Sequence, residues 1–291
     1  MREYPSKLLL FGEHILLQGA VALSYPVKTF SGKWVFRENP INHPPDSRLL
    51  QFAESKQLMN VPHLNVEKFI EELRAGLEFK SSIPEGYGLG SSGALCAAVF
   101  DRFCSNKTSD LQLLKQTLSQ MECHFHGQSS GIDPLTSFVG QPLQIRNKTE
   151  VKVAQPEGWK QEPMVFLLDS GLPRNTGTMV NWFLEKCKEE DFNLRITQEY
   201  IPLNEQLVNA WLNGNDQEFW PYLRMLSKFQ FELFGPMIPE TTREMWKETI
   251  GTDKVTLKIC GAGGGGFVLG FSNSKDNIEH LKSRFKVYYP F

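Results

Sequence analysis

At 291 residues, with 41% hydrophobic and 22% charged side chains, the chain has the balance of a soluble globular protein and the length for two ordinary domains. A formal net charge of −2 without a long basic or acidic tract argues against non-specific nucleic-acid binding. No apolar run has the length of a membrane span and the N-terminus lacks a leader's apolar core, so a cytoplasmic protein with no membrane partner is expected. Cys96, Cys104, Cys123, Cys187 and Cys260 are scattered without a Cys-x-x-Cys pair and are read as reduced thiols.

The apolar run 7–11 ends at Gly12 and resumes over 15–17, which predicts strand, tight turn and strand. Strands over 21–23 and 27–36, with a turn at Ser31-Gly32, continue an antiparallel sheet. Pro40, Pro44 and Pro45 predict an irregular loop over 39–46. Helices follow over 47–58 and 65–77, the second with Val66, Phe69, Ile70 and Leu73 on one face.

A strand over 78–83 then feeds Pro84-Glu85-Gly86-Tyr87-Gly88-Leu89-Gly90-Ser91-Ser92-Gly93-Ala94, a glycine turn that opens an alanine-rich helix near Ser92. Glycine backbones admit positive φ and let a ligand approach bare amides. The helix start adds unpaired N–H groups and the positive end of a dipole, so the stretch suits phosphate. Gly88, Gly90 and Gly93 also fit the dinucleotide-binding spacing, with Asp110 at the distance of its ribose-binding acid, but the same spacing recurs at Gly261, Gly263 and Gly266. No lysine stands where a Walker loop requires one. A tight strand-to-helix turn built for packing is the bland alternative.

Asp110 caps a helix with the stripe Leu111, Leu114, Leu118 and Met121, which carries Glu122 towards its far end. A polar turn over 126–134 precedes strands at 138–139 and 143–145. Linker-like composition near Gln155-Pro156-Glu157-Gly158 divides the chain into domains 1–160 and 161–291. The second domain reads as a strand over 164–168, helices over 179–190, 194–212, 217–234 and 241–250, and a strand over 255–259. The run Gly261-Ala262-Gly263-Gly264-Gly265-Gly266, a strand over 267–271, a helix over 275–285 and an edge strand over 287–289 complete it.

Several polar constellations call for one explanation: Lys7 with Glu13-His14, the glycine loop with Ser91 and Ser92, Glu122 with Asp133, and 261–266. Each has a structural alternative. Lys7 suits a sheet edge, His14 a hydrogen-bonded turn, and Asp133 before Pro134 a helix N-cap. Glu122 near a helix C-terminus opposes the dipole, which favours a cation beside it.

Taken together, Pro5-Ser6-Lys7-Leu8-Leu9-Leu10-Phe11-Gly12-Glu13-His14, the loop 84–94 and the run 261–266 resemble, in order, the three motifs of the galactokinase, homoserine kinase, mevalonate kinase and phosphomevalonate kinase (GHMP) superfamily. The Phe-Gly-Glu-His form, the segment His126-Gly127-x-x-Ser130-Gly131-Ile132-Asp133 and Pro173-Arg174-Asn175-Thr176 are most similar to its mevalonate kinase branch. The chain departs from the family pattern at Ser6, Gln18, Gly93 and Pro134, and in a short span between the first two motifs.

The resemblance implies a two-domain α+β architecture, with an N-terminal α/β domain holding the phosphate loop and a ferredoxin-like C-terminal α+β domain. It implies ATP and Mg²⁺ as cofactors and transfer of phosphate to a small-molecule hydroxyl, mevalonate first, with another hydroxy acid, phosphomevalonate or a sugar as alternatives. Gly86, Gly88, Leu89, Gly90, Ser91, Ser92 and Gly93, with Gly263 and Gly264, would bind ATP. Ser92 and Glu122 would hold the metal, Asp133 would act as base and Lys7 as its cationic partner. Glu13, His14, Arg174 and Thr176 would line the acceptor. A dinucleotide-dependent oxidoreductase and a non-catalytic metabolite sensor are the readings from other classes, and self-association as a homodimer is left open.

Overall fold

The computed structural model describes residues 2–38, 44–174 and 176–291. Most of the predicted 39–46 loop, and Asn175, lie outside the described residues. The chain divides into two compact units, one of Met1–Lys7, Ser24–Pro84 and Leu89–Gln141, the other of Leu8–Leu23, Glu85–Gly88 and Pro142–Phe291.

The chain opens with β1 (Tyr4–Phe11) and β2 (Ala22–Phe36), both of which contribute residues to each unit. Between them, 15–18 form a 3-10 turn rather than the expected strand, because Gly19 closes the segment with φ 88° and its N–H bonds back to Ile15 and Leu16. β2 is continuous, so the turn expected at Ser31-Gly32 is absent. An added Cβ at Gly32 would lie 2.2 Å from the Phe79 ring on the paired strand, and glycine makes room for that ring.

In the first unit, α1 (Ser47–Ala53), α2 (Lys56–Met59) and α3 (Val66–Arg74) precede β3 (Leu77–Ser81). Asn65 caps α3 by accepting from the Lys68 N–H at 2.9 Å, and Phe69 and Leu73 are fully buried. The loop then opens α4 (Ser91–Phe103), whose Ala94, Cys96, Ala97 and Ala98 are buried. Small residues on several sides of one helix permit close neighbours, and Trp34 Nε1 donates to the Ala98 carbonyl at 3.1 Å. The Asp110 carboxylate caps α5 (Leu111–His126) through the Gln112 and Leu113 N–H groups, and Leu114, Leu118 and Met121 are buried as the stripe predicts. α6 (Ile132–Val139) takes residues 138–139 into a helix, against the strand expected there.

The second unit holds the hairpin β4 (Leu143–Arg146) and β5 (Glu150–Val153), then β6 (Met164–Asp169). Next come α7 (Thr176–Lys186), α8 (Glu190–Arg195), a π-helical turn at Ile196–Tyr200, α9 (Ile201–Leu212), α10 (Asp216–Leu233) and α11 (Glu240–Thr249). The chain ends with β7 (Val255–Ile259), β8 (Phe267–Ser272), α12 (Asp276–Lys282) and β9 (Val287–Tyr288). One sheet has the order β1-β2-β4-β5 with β3 on β2, and the other the order β7-β8-β6-β9. The second sheet, read along the chain with its helices, is β-α-β-β-α-β, the ferredoxin-like arrangement. Phe11, Trp211, Phe219 and Phe271 form an aromatic core there, with ring centroids 5.4–6.5 Å apart.

Candidate active site

In the first unit the glycine loop meets the polar turn before α6. Gly90 is the N-cap of α4 at φ 70°, and it offers no side chain to the first-turn amides of Ser91, Ser92 and Gly93. The Leu89 carbonyl accepts from the Lys7 N–H at 2.8 Å, which ties the buried first strand to the loop. Lys7 is only 8% exposed, and its Nζ lies 2.8 Å from Asp133 Oδ1. Lys7 does lie on an edge strand of its sheet, but it is buried and paired rather than solvated.

Asp133 is not the N-cap of α6. Gly131 takes that position at φ 73°, and Asp133 sits in the first turn with its carboxylate directed at Lys7. The 127–131 turn, pinned by Ser129 Oγ accepting from the Gly131 N–H at 2.9 Å, places the helix start two residues earlier than the Asp-Pro pair suggests. A Cβ on Gly90 would lie 3.2 Å from Asp133 Oδ2, and one on Gly93 would lie 2.8 Å from the Asp133 carbonyl carbon and Pro134 N. The departure from alanine at Gly93 therefore lets α4 press against the backbone that carries Asp133.

Ser92 and Glu122 also come together, since the Ser92 hydroxyl donates to Glu122 Oε1 at 3.0 Å and the Ser129 hydroxyl donates to Oε2 at 2.5 Å. Ser92 Oγ also lies 3.0 Å from His126 Nε2. Glu122 is 4% exposed, and burial, reinforced by the nearby Asp133 charge, pushes its carboxyl up to about 7 against the pull of both hydroxyls. A cation here would offset that cost. The 3.0 Å separation of Ser92 Oγ and Glu122 Oε1 is close to the ~2.9 Å between adjacent oxygens around Mg²⁺ at about 2.0–2.1 Å per bond. This oxygen donor set fits Mg²⁺. Among the described residues no group of three or more His, Cys, Asp and Glu is placed to cage a metal, and Mg²⁺ shared with nucleotide phosphates requires none.

The second unit gathers Glu13, His14, Arg174, Gly86, Gly88 and the glycine run. Glu13, 2% exposed, forms a short ion pair with Lys258, which is fully buried and also donates to the Ile259 carbonyl at 2.8 Å. Sequence reasoning misses Lys258, because Thr256 and Lys258 alternate with Val255, Leu257 and Ile259 as a half-exposed strand would.

His14, at φ 62°, points Nε2 at the Ala262 carbonyl 3.1 Å away and places its ring 4.9 Å from that of Phe183. A positive φ is uncommon outside glycine and is concentrated at functional positions. Nε2 must carry the proton to bond a carbonyl, which leaves Nδ1 a lone pair that no described residue satisfies.

Burial is the main force that lowers the His14 pKa to about 4, with Arg174 and Lys258 adding to it. The unfolded chain therefore takes up the proton first as pH falls from about 6.5, and stability is present above that pH and lost on descent towards 4. A loss on the order of 3 kcal/mol is expected from this residue. His14→Asn should flatten the decline in melting temperature between those pH values, and an unaltered profile would assign the acid sensitivity elsewhere.

The Arg174 guanidinium packs against loop and run at once. A Cβ on Gly88 would fall 1.9 Å from its Nη2 and one on Gly261 2.3 Å from Nη1, while Nη1 donates to the Cys260 carbonyl at 3.3 Å. The Arg174 N–H bonds the Gly86 carbonyl at 3.3 Å, and Thr176 opens α7 in an exposed position. Around Gly86 itself the space is open.

Gly263 and Gly264 are packed differently from the sequence expectation of bare backbone facing a nucleotide, for Met237 and Met179 fill the space beside them. From the sequence, Gly264→Val is expected to weaken ATP binding more than stability. With Met179 Sδ 2.9 Å from the added Cβ and φ at +76°, the larger effect is now expected on stability, about 1–3 kcal/mol. Thermal melting beside nucleotide calorimetry checks this, and an unchanged melting temperature would refute it.

Residues 60–141 match the family model of the GHMP kinases N terminal domain, a stretch that contains the α4 helix start, Glu122 and Asp133. The chain is thus similar to GHMP kinases over that stretch, and among curated proteins it is similar to mevalonate kinases. That of Pyrococcus abyssi is 30% identical over 164 residues, 47% of this chain and 48% of the relative, so the match spans about half the relative's length. That of Archaeoglobus fulgidus is 24% identical over 284 residues, 91% of this chain and 90% of the relative. The Streptococcus pneumoniae phosphomevalonate kinase, solved with phosphomevalonate and AMPPNP, shares the fold at a TM-score of 0.69 and 17% identity, covering 99% of this chain and 98% of that one. Among the described residues no helix is long and apolar enough to cross a membrane.

Proposed function

We propose that this protein transfers the terminal phosphoryl group of ATP to the hydroxyl of a small molecule, with mevalonate as acceptor and 5-phosphomevalonate as product. The observation that carries this reading is the 2.8 Å Lys7–Asp133 pair lying against Gly90, at the start of the helix opened by the glycine loop. A base, a cation and a set of helix-start amides in one place suit phosphoryl transfer, which needs positioning and charge stabilisation more than covalent help.

In this mechanism Asp133 accepts the proton of the acceptor hydroxyl. Lys7 holds the carboxylate in position and favours the developing alkoxide. The first-turn amides of α4 cradle phosphate oxygens. Ser92 and Glu122 would hold Mg²⁺, which would supply charge neutralisation to the phosphates. Within the second unit, His14 Nδ1 offers a lone pair to a donor group. The mevalonate kinases among the relatives favour mevalonate. The phosphomevalonate in the Streptococcus pneumoniae structure makes that compound the second acceptor to test.

A coupled assay of ADP release over mevalonate, phosphomevalonate, other small hydroxy acids and sugars tests the reading. Mevalonate-dependent ADP release supports it, and release with another acceptor keeps the kinase but replaces the substrate. No release with any of them, or NAD reduction in a parallel assay, would sink it.

A further inference from the structure

We propose that Ser129 is a positioning residue for the metal site, holding the Glu122 carboxylate in its metal-binding orientation through Oε2. The proposal rests on the reading of Ser92 and Glu122 as Mg²⁺ ligands. Its evidence is a run of hydrogen bonds that engages both oxygens of the carboxylate.

The Gly131 N–H donates to Ser129 Oγ at 2.9 Å, so the hydroxyl proton is free to go to Glu122 Oε2, 2.5 Å away. The residue is itself anchored, because the Ser119 hydroxyl donates to the Ser129 carbonyl at 2.7 Å. The other carboxylate oxygen, Oε1, accepts from Ser92. These two bonds have different fates when a cation binds. Ser92 Oγ and Oε1 are the atoms that would take the metal, so their mutual hydrogen bond is exchanged for bonds to it. The Ser129 bond lies on the far oxygen and persists. It therefore fixes the carboxylate plane in both states. Partners of this kind orient metal ligands, and their loss typically costs about 10- to 100-fold in metal affinity.

A turn-shaping role for Ser129 makes a different forecast, since its acceptance from Gly131 closes the 127–131 turn. The test is Mn²⁺ binding to the full chain with AMPPNP, followed by electron paramagnetic resonance, in Ser129→Ala, Ser129→Thr and Glu122→Gln, with melting temperatures alongside. Ser129→Ala is expected to weaken Mn²⁺ binding about 10-fold, Ser129→Thr to restore it, and Glu122→Gln to weaken it further. Parent-like Mn²⁺ binding in Ser129→Ala, with Glu122→Gln impaired, would overturn the proposal and leave the metal site standing, even if the alanine variant melted earlier. Parent-like binding in Glu122→Gln would remove the metal site and the proposal with it.

Discussion

Asp133→Asn is expected to lower turnover by about 10²–10⁴ while ATP affinity stays near normal, because the amide cannot take a proton from the acceptor. The position of α6 changes what this variant should cost in stability. Were Asp133 the N-cap, asparagine would replace it almost without loss. Gly131 is the cap, however, and the carboxylate is the counter-charge of a lysine with 8% exposure. The expected cost is about 1–3 kcal/mol, for removing that charge from the buried ammonium. Lys7→Met should also slow turnover. The double variant should be less impaired than the product of the singles, because in the proposed mechanism both groups would act on one hydroxyl. Steady-state kinetics and melting curves on the singles and the double measure both quantities. A folded Asp133→Asn protein with parental turnover would strip the aspartate of its catalytic role.

What could be read from the sequence was largely local. Asp110 and the stripe Leu114, Leu118 and Met121 lie within one helix, and cap and burial follow from spacing alone. The loop from Gly86 to Ser92 carries its signal in consecutive residues, as does the helix it opens. The misses depend on partners distant in the chain. Gly32 looks like a turn residue until Phe79, on the paired strand, is seen to occupy the space beside it. Asp133-Pro134 has the form of a helix start, yet hydrogen bonds within the preceding turn move the start back to Gly131. His126 ends α5 and Ser129 lies within the polar turn before α6, but only the fold aligns them with Ser92 and Glu122. Lys258 is the largest omission, because its partner Glu13 is 245 residues away.

That pair supplies the largest stability effect expected for this chain. Lys258 is fully buried and Glu13 is 2% exposed, so neither charge can recover its hydration if the other is removed. Lys258→Met should therefore cost about 3–5 kcal/mol, although methionine fills much of the volume above the Phe11 ring, 5.7 Å from the ammonium. At about 2–4 °C per kcal/mol, melting should fall by roughly 6–20 °C. Replacing both residues, with Glu13→Leu beside Lys258→Met, removes the desolvated charges together and should restore most of the lost stability. The double variant also separates two roles for Glu13. If the carboxylate serves only to balance Lys258, a stable double variant should keep its acceptor KM. If Glu13 also lines the acceptor, as the family motif implies, KM for the acceptor should rise while that for ATP does not. A Lys258→Met variant that melts with the parent would mean that Glu13 is not left as an uncompensated buried charge, and the KM comparison would then rest on Glu13→Leu alone.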